Sequence, residues 1–158
     1  MNEITPTTTT TIDPTATSHQ LVIFTLGDED YALPISQIKE VIRFTRPRRI
    51  AANDPRAAGV ITVRDDIVPI GDLGMSLGVS ASDEENAKVV ITETTAGTAG
   101  IVVDAVEQVL TVDAAQIDTS VGDAGFIYGI AKIDGRLVVL LDAGILLEGI
   151  GRSADTEK

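Results

Sequence analysis

The chain contains the same small unit twice, and this repeat limits its fold more than any other feature. Residues 59–78 read GVITVRDDIVPIGDLGMSLG and residues 129–148 read GIAKIDGRLVVLLDAGILLE, an offset of 70 with identity at Gly59/Gly129, Val68/Val138, Asp72/Asp142, Gly74/Gly144 and Leu77/Leu147. Each copy opens on Gly, alternates as a strand, turns at a polar pair, continues as an apolar strand to an Asp, and ends in a short Leu-rich helix. Upstream, LVIFTLGDEDYALPI (21–35) echoes VVITETTAGTAGIVV (89–103) at an offset of 68. Two copies of one β unit imply a pseudo-symmetric module with a seam between its halves, where a binding site is expected.

With 158 residues the chain has room for one domain, or for two very small ones sharing a core. Ile and Val number 34, and β-branched side chains favour pleated surfaces. There are only five aromatics (Phe24, Tyr31, Phe44, Phe126 and Tyr128), so the core is aliphatic. The absence of Cys excludes disulfides, thiolate metal sites and thiol catalysis. The apolar run Leu137–Leu141 is far too short to span a bilayer, and the N-terminus lacks a signal-peptide layout. The expectation is a soluble, cytoplasmic protein without direct membrane insertion.

Short strands separated by regular turns predict an all-β fold of two five-stranded barrels with short helices. The first barrel is expected over about 21–78 and the second over about 88–148, within a domain spanning 19–150. Residues 1–18, with eight Thr, and 151–158 read as disordered tails. The spacing predicts strands 21–26, 31–34, a single turn and then 38–44, followed by a hairpin of 59–64 and 67–71 turning at Asp65-Asp66. Asp72 is expected to cap a helix over 73–77. The second half gives strands 88–94 and 100–103, turning at 95–98, then 105–112, a loop over 113–125 anchored by Ile117, and a hairpin of 126–133 and 136–142. That hairpin turns at Asp134-Gly135, and Asp142 caps 143–147.

The net charge of −12 argues against general binding to nucleic acid or anionic membranes. It conceals a basic segment. Between Lys39 and Arg64 lie Lys39, Arg43, Arg46, Arg48, Arg49, Arg56 and Arg64 against only Glu40 and Asp54, a local +5 on a remainder of −17. Such a patch suits oriented docking to an acidic surface, or internal pairing with the protein's own carboxylates. The one His, His19, has no scaffold for a catalytic triad. The acidic clusters Asp28-Glu29-Asp30, Asp65-Asp66 and Asp83-Glu84-Glu85 sit at turns and match neither a facing carboxylate pair nor a Ca²⁺ loop. No phosphate-binding Gly loop is present. Catalytic residues, metal ligands and cofactors are therefore all read as none, and the small acidic hydrolase reading has no residues behind it. An alternative is a barrel binding single-stranded nucleic acid through the Arg43–Arg64 patch, for which Phe44 is the only stacking candidate.

Residues 21–73, with LVIFTLGDEDYALPISQIKEVIR, a Pro/Arg loop and GVITVRDDIVPIGDL, resemble the CheW family of chemotaxis coupling proteins. GIVVDAVEQVL (100–110) and the strand pair of 129–142 continue the resemblance, which covers about 20–150. It implies two intertwined, pseudo-symmetric five-stranded SH3-like barrels packed together. It also implies a non-enzymatic adaptor of two-component signalling, recruited to receptor arrays at the inner face of the membrane. The implied partners are the regulatory domain of the histidine kinase CheA and the cytoplasmic hairpin tip of methyl-accepting chemoreceptors. By position, Ile38, Glu40 and Val41 match the family's partner-contact segment. Gly59, Val63 and Arg64 match the neighbourhood of its Asn-Leu-Arg-Gly motif, and Val102 and Val103 match a strand facing the receptor groove. Val102 and Val103 are consecutive, so they point to opposite faces and only one can line a groove. Here the motif reads Thr62-Val63-Arg64-Asp65, with Asp in place of the turn Gly.

Overall fold

The computed structural model describes residues 12, 15–49, 57–72, 86–94, 97–120 and 125–147. Strands β1 (Ser18–Leu26) and β2 (Glu29–Pro34) form a hairpin, and a 3-10 turn (Ile35–Gln37) leads into β3 (Ile38–Arg43). β4 (Ala57–Val63) and β5 (Asp66–Gly71) form the next hairpin. In the second half β6 (Lys88–Thr94) pairs with β7 (Gly97–Val103), which leads into β8 (Ala105–Asp113). A 3-10 turn (Ala114–Gln116), the short β9 (Ile117–Asp118), the hairpin β10 (Ile127–Ile133) and β11 (Arg136–Leu141), and the single-turn helix α1 (Ala143–Leu146) complete it. The all-β expectation holds, and the loop anticipated over 113–125 contains the 3-10 turn and β9.

The two halves do not each form their own sheet. One sheet runs β8-β1-β2-β11-β10-β9 and the other β3-β6-β7-β5-β4. Each half therefore places its first hairpin in the sheet built by the other half's remaining strands. The junctions are β1 with β8 and β3 with β6, both antiparallel, and β2 with β11 and β5 with β7, both parallel. The repeat boundaries thus divide the sequence but not the sheets.

Alternation along each strand separates three apolar clusters. Ile61, Val68, Ile70, Val89 and Ile91 fill the barrel of the second sheet, referred to below as the first barrel, with Ile42, Phe44, Val63 and Val102 packed against them. Leu21, Ile23, Ala32, Val112, Ala131, Val138 and Leu140 fill the second barrel. Between the sheets lies the largest cluster, including Phe24, Leu33, Val90, Ile101, Val103, Leu141 and Leu146. This central cluster also surrounds a polar brace. Gln37, 1 % exposed, donates through Nε2 to Asp142 Oδ1 at 3.0 Å and accepts from Ala143 N–H at 2.8 Å. Asp142 in turn caps α1 through Gly144 N–H at 3.0 Å.

Three details differ from the sequence reading. The β4–β5 turn is Arg64-Asp65, not Asp65-Asp66, because Val63 pairs with Asp66. Both turn residues have positive φ, 50° and 88°, as a two-residue type I′ turn requires; without Gly as a marker the sequence left the register one residue off. The β6–β7 connection is likewise shorter than expected, since Thr94 already pairs with Gly97. The N-terminal segment is also more attached than a tail ending at residue 18. β1 starts at Ser18, Ala114 N–H donates to the Thr17 carbonyl at 2.8 Å, and Ile12, 7 % exposed, belongs to the second barrel's cluster. The expected 73–77 helix, the acidic run 83–85 and the 151–158 tail lie outside the described residues.

The Gly59/Gly129 pair of the repeat has one explanation. A Cβ at Gly59 (φ 145°) would collide with the Arg48 carbonyl, and one at Gly129 would meet Ile117 Cγ2 at 2.7 Å and Asp118 O at 2.8 Å. Arg48 bridges Val60 just as Asp118 pairs with Ile130, so each Gly admits an equivalent neighbouring backbone.

Two stability measurements check this picture. Gln37→Leu leaves the Ala143 N–H without its acceptor inside the core, and should lower urea-unfolding stability by about 2–4 kcal/mol. Asp65→Gly removes a side chain from the left-handed region and should raise stability by roughly 0.5–1 kcal/mol, read as a thermal midpoint a few degrees higher.

Candidate partner-binding site

β3 supplies the first part of the candidate site, and a bulge sets its geometry. Ile38 pairs with Thr92 and Glu40 with Ile91, leaving Lys39 as the extra residue. The bulge places Ile38 and Val41 on one face, although they are three apart, and Glu40 and Ile42 on the other. This accounts for the mixed helix-and-strand spacing of the segment. Ile38 packs on the central cluster, whereas Val41 stands 39 % exposed.

The second part comes from the β4–β5 turn. β3 and β4 occupy opposite ends of their sheet, and the Arg48–Val60 bridge brings the basic segment against β4. Arg64, with φ 50°, projects back across the barrel mouth onto Glu40. Its Nη1 donates to Glu40 Oε2 at 2.7 Å and its Nη2 to Oε1 at 2.6 Å, a two-pronged pair that joins the sheet's two end strands. The Arg64 side chain is 70 % exposed and that of Glu40 21 %. The hydrogen bonds from Arg64 hold the Glu40 carboxyl below its ordinary pKa, and those same bonds raise that of Arg64.

Of the eight residues carried over from the family, Glu40 and Arg64 meet at this mouth, Val63 is the chain neighbour of Arg64, and Val41 follows Glu40 on the opposite face of β3. Val63 is half-buried on the first barrel's cluster, as is Val102, which lies across β6 from Ile42. Gly59 is buried and serves the close backbone approach described above. Val103 is 0 % exposed in the central cluster, so it has no surface to offer a partner; alternation along β7 sends it inward to the seam and Val102 into the barrel. Sequence reasoning counted Arg48 only as a charge of the basic segment and missed its backbone, which exchanges hydrogen bonds with Val60 at 2.8 and 2.9 Å. The shared Gly59/Gly129 was the available signal. Phe44, the stacking candidate of the nucleic-acid reading, is half-buried against the barrel core. Among the described residues no group of His, Asp or Glu could hold a metal ion, and no helix is long and apolar enough to cross a membrane.

Two exchanged β-barrels with a charged mouth closed by an ion pair define the class of this protein as a β-barrel binding module. The family model described as the CheW-like domain matches residues 20–150. A chemotaxis protein CheW of Klebsiella aerogenes is 32 % identical over 134 residues, covering 81 % of each chain. That of Bacillus subtilis is 25 % identical over 142 residues, covering 84 % of this chain and 88 % of the relative. The crystal structure of the scaffolding protein TtCheW from Thermoanaerobacter tengcongensis superposes with a TM-score of 0.75 at 28 % identity, covering 86 % of this chain and 92 % of that one. The chain belongs to the CheW family, and so to the non-enzymatic scaffolds of chemotaxis.

Because the folded Glu40 pKa lies below its unfolded value, the pair's contribution to stability is complete above the ordinary carboxylate range and is lost as pH falls through the lowered value. A carboxyl-carbon NMR titration should therefore show Glu40 titrating below the protein's exposed glutamates, and Arg64→Gln should return it to their range.

Proposed function

We propose that this chain couples methyl-accepting chemoreceptors to the histidine kinase CheA, binding the kinase's regulatory domain and the receptors' cytoplasmic hairpin tip. It acts by binding alone, at receptor arrays on the cytoplasmic face of the membrane. The observation that carries the site assignment is the exposed Arg64 held over the first barrel's mouth by Glu40, beside the exposed Val41. Arg64 spends two of its five N–H donors on Glu40, so the remainder are available to a partner carboxylate. Val41, on the opposite face of β3 from Glu40, supplies an apolar contact for a helical tip, and Val63 lies in the barrel wall next to Arg64. The proposed contact set is thus Ile38, Glu40, Val41, Val63, Arg64 and Val102, with Gly59 as its backbone support.

Arg64→Glu alone both removes the cation and sets two carboxylates against each other, so it should weaken partner binding by about 1–3 kcal/mol. The exchange Glu40→Arg with Arg64→Glu separates the two effects. It restores the internal pair while reversing the charge pattern at the mouth. If partners read Arg64 itself, pulldown of a receptor cytoplasmic fragment and of the CheA regulatory domain, measured separately, stays weak, and the deficit shrinks in high salt. Full recovery of both would make the pair a brace only and remove Arg64 from the contact set. Undiminished binding by both variants would remove the mouth as the site.

A further inference from the structure

The repeat places corresponding residues at the mouths of both barrels, yet the two mouths are finished differently. In the first, Ile42, Val63, Val68 and Ile91 form an apolar wall, and Glu40 and Arg64 close it. Offsets of 68 and 70 residues carry the wall onto Leu110, Ile133, Val138 and Ile23, which belong to or pack on the second barrel's cluster. The same offsets put Gln108 in the place of Glu40 and Asp134 in the place of Arg64. Strand pairing supports the match. Val106 and Gln108 pair around a bulge with Phe24 and Ile23, as Ile38 and Glu40 pair around a bulge with Thr92 and Ile91. Arg64 and Asp134 both open their turns at φ 50°.

The second mouth therefore has no guanidinium at the position of Arg64. It is an open pocket of about 270 Å³ lined by Ile23, Leu110, Ile133 and Val138, with Gln108, Asp134 and Arg136 at its rim. Arg136 does not fill the vacancy, because Asp30 at 3.2 Å and Glu107 at 3.0 Å hold it. The Gln108 and Asp134 side chains make no hydrogen bond or ion pair among the described residues, although the Asp134 carboxylate attracts Arg136 at longer range. Among the lining residues Asp134 and Arg136 balance, but the Asp30 and Glu107 carboxylates paired with Arg136 leave the surroundings of the pocket net acidic.

We propose that this pocket receives an arginine side chain presented by a partner protein. The methylene stem packs on the aliphatic wall, and the guanidinium donates to the Asp134 carboxylate and the Gln108 side-chain oxygen. Arginine rather than lysine fits, since the sister mouth is closed by a planar, two-pronged guanidinium contact. The inference stands apart from the coupling role assigned to the first mouth, since it concerns a different end of the molecule.

The test titrates Nα-acetyl-arginine amide into the full-length ¹⁵N-labelled protein. Saturable shifts are expected at Gln108 and across 133–136, in the millimolar range suited to one side chain. The lysine analogue should bind more weakly, and the norleucine analogue should leave those amides unmoved. Gln108→Glu combined with Asp134→Arg transplants the first mouth's pair into the second; Arg64 already tolerates the same backbone conformation, so this variant keeps the fold. It should weaken the interaction by at least about tenfold. No saturable shift at these residues in the native protein, or undiminished binding by the transplanted variant, overturns the proposal. So does equal binding of the norleucine analogue, which would mark a purely apolar pocket. Saturation centred on Asp65-Asp66 would indicate undirected attraction to acid, and shifts appearing with protein concentration alone would make a second copy of the chain the occupant. Either result also overturns it.

Discussion

Hairpin exchange between the halves is the constraint on which the rest of this molecule depends. β1 and β2 hydrogen-bond to β8 and β11, and β6 and β7 to β3 and β5. Neither sheet can form from one copy of the repeat. A single copy would expose strand edges and leave the barrel interior half-lined, both of which are costly in water. Exchange also brings Phe24 and Leu33 of one hairpin against Ile101 and Val103 of the other, giving the two barrels one common apolar seam. The Gln37–Asp142 brace crosses this seam between residues 105 apart in sequence. The candidate site inherits its rigidity from this arrangement, because β3 pairs with β6, and β5, the partner of β4, pairs with β7, both strands of the other half.

On that shared frame the two barrel mouths diverge in chemistry at little structural cost. Turn positions bear few packing obligations, so the residues opening them can change without disturbing the strands. Arg64 and Asp134 have the same backbone conformation and opposite charge. One mouth is closed by its own ion pair and the other is left as a pocket lined by aliphatic, amide and charged side chains. The basic segment follows the same logic. It departs from the sheet after Arg43 and returns to it at Arg48, where the absence of a Cβ at Gly59 admits its backbone.

Much of this was legible in the order of residues. Alternation marked nearly every strand, Asp134-Gly135 fixed one hairpin register, and Asp142 before a Leu-rich turn marked a capped helix. The failures have local physical causes. Arg64-Asp65 forms a type I′ turn without Gly, so nothing in the composition located it. Lys39 is a bulge residue, and a bulge breaks the period on which face assignment rests. Ile12 lies in a Thr-rich stretch whose composition suggested no packing, and one buried apolar side chain is too small a signal to alter that reading. Val103 could be assigned a face only once β7 was known to lie at the seam.

The sequence by itself determined the local units: strands from their period, the Asp134-Gly135 hairpin from its turn chemistry, two halves from the repeat, and the family from motifs in order. These depend on neighbours along the chain, so a linear reading suffices. Only the tertiary structure decided which hairpin joins which sheet, that Glu40 receives Arg64, and that Gln108 and Asp134 stand open where the repeat would have placed an ion pair. Those outcomes depend on strand pairing and side-chain direction between residues far apart in sequence, where a shift of one residue exchanges core for surface.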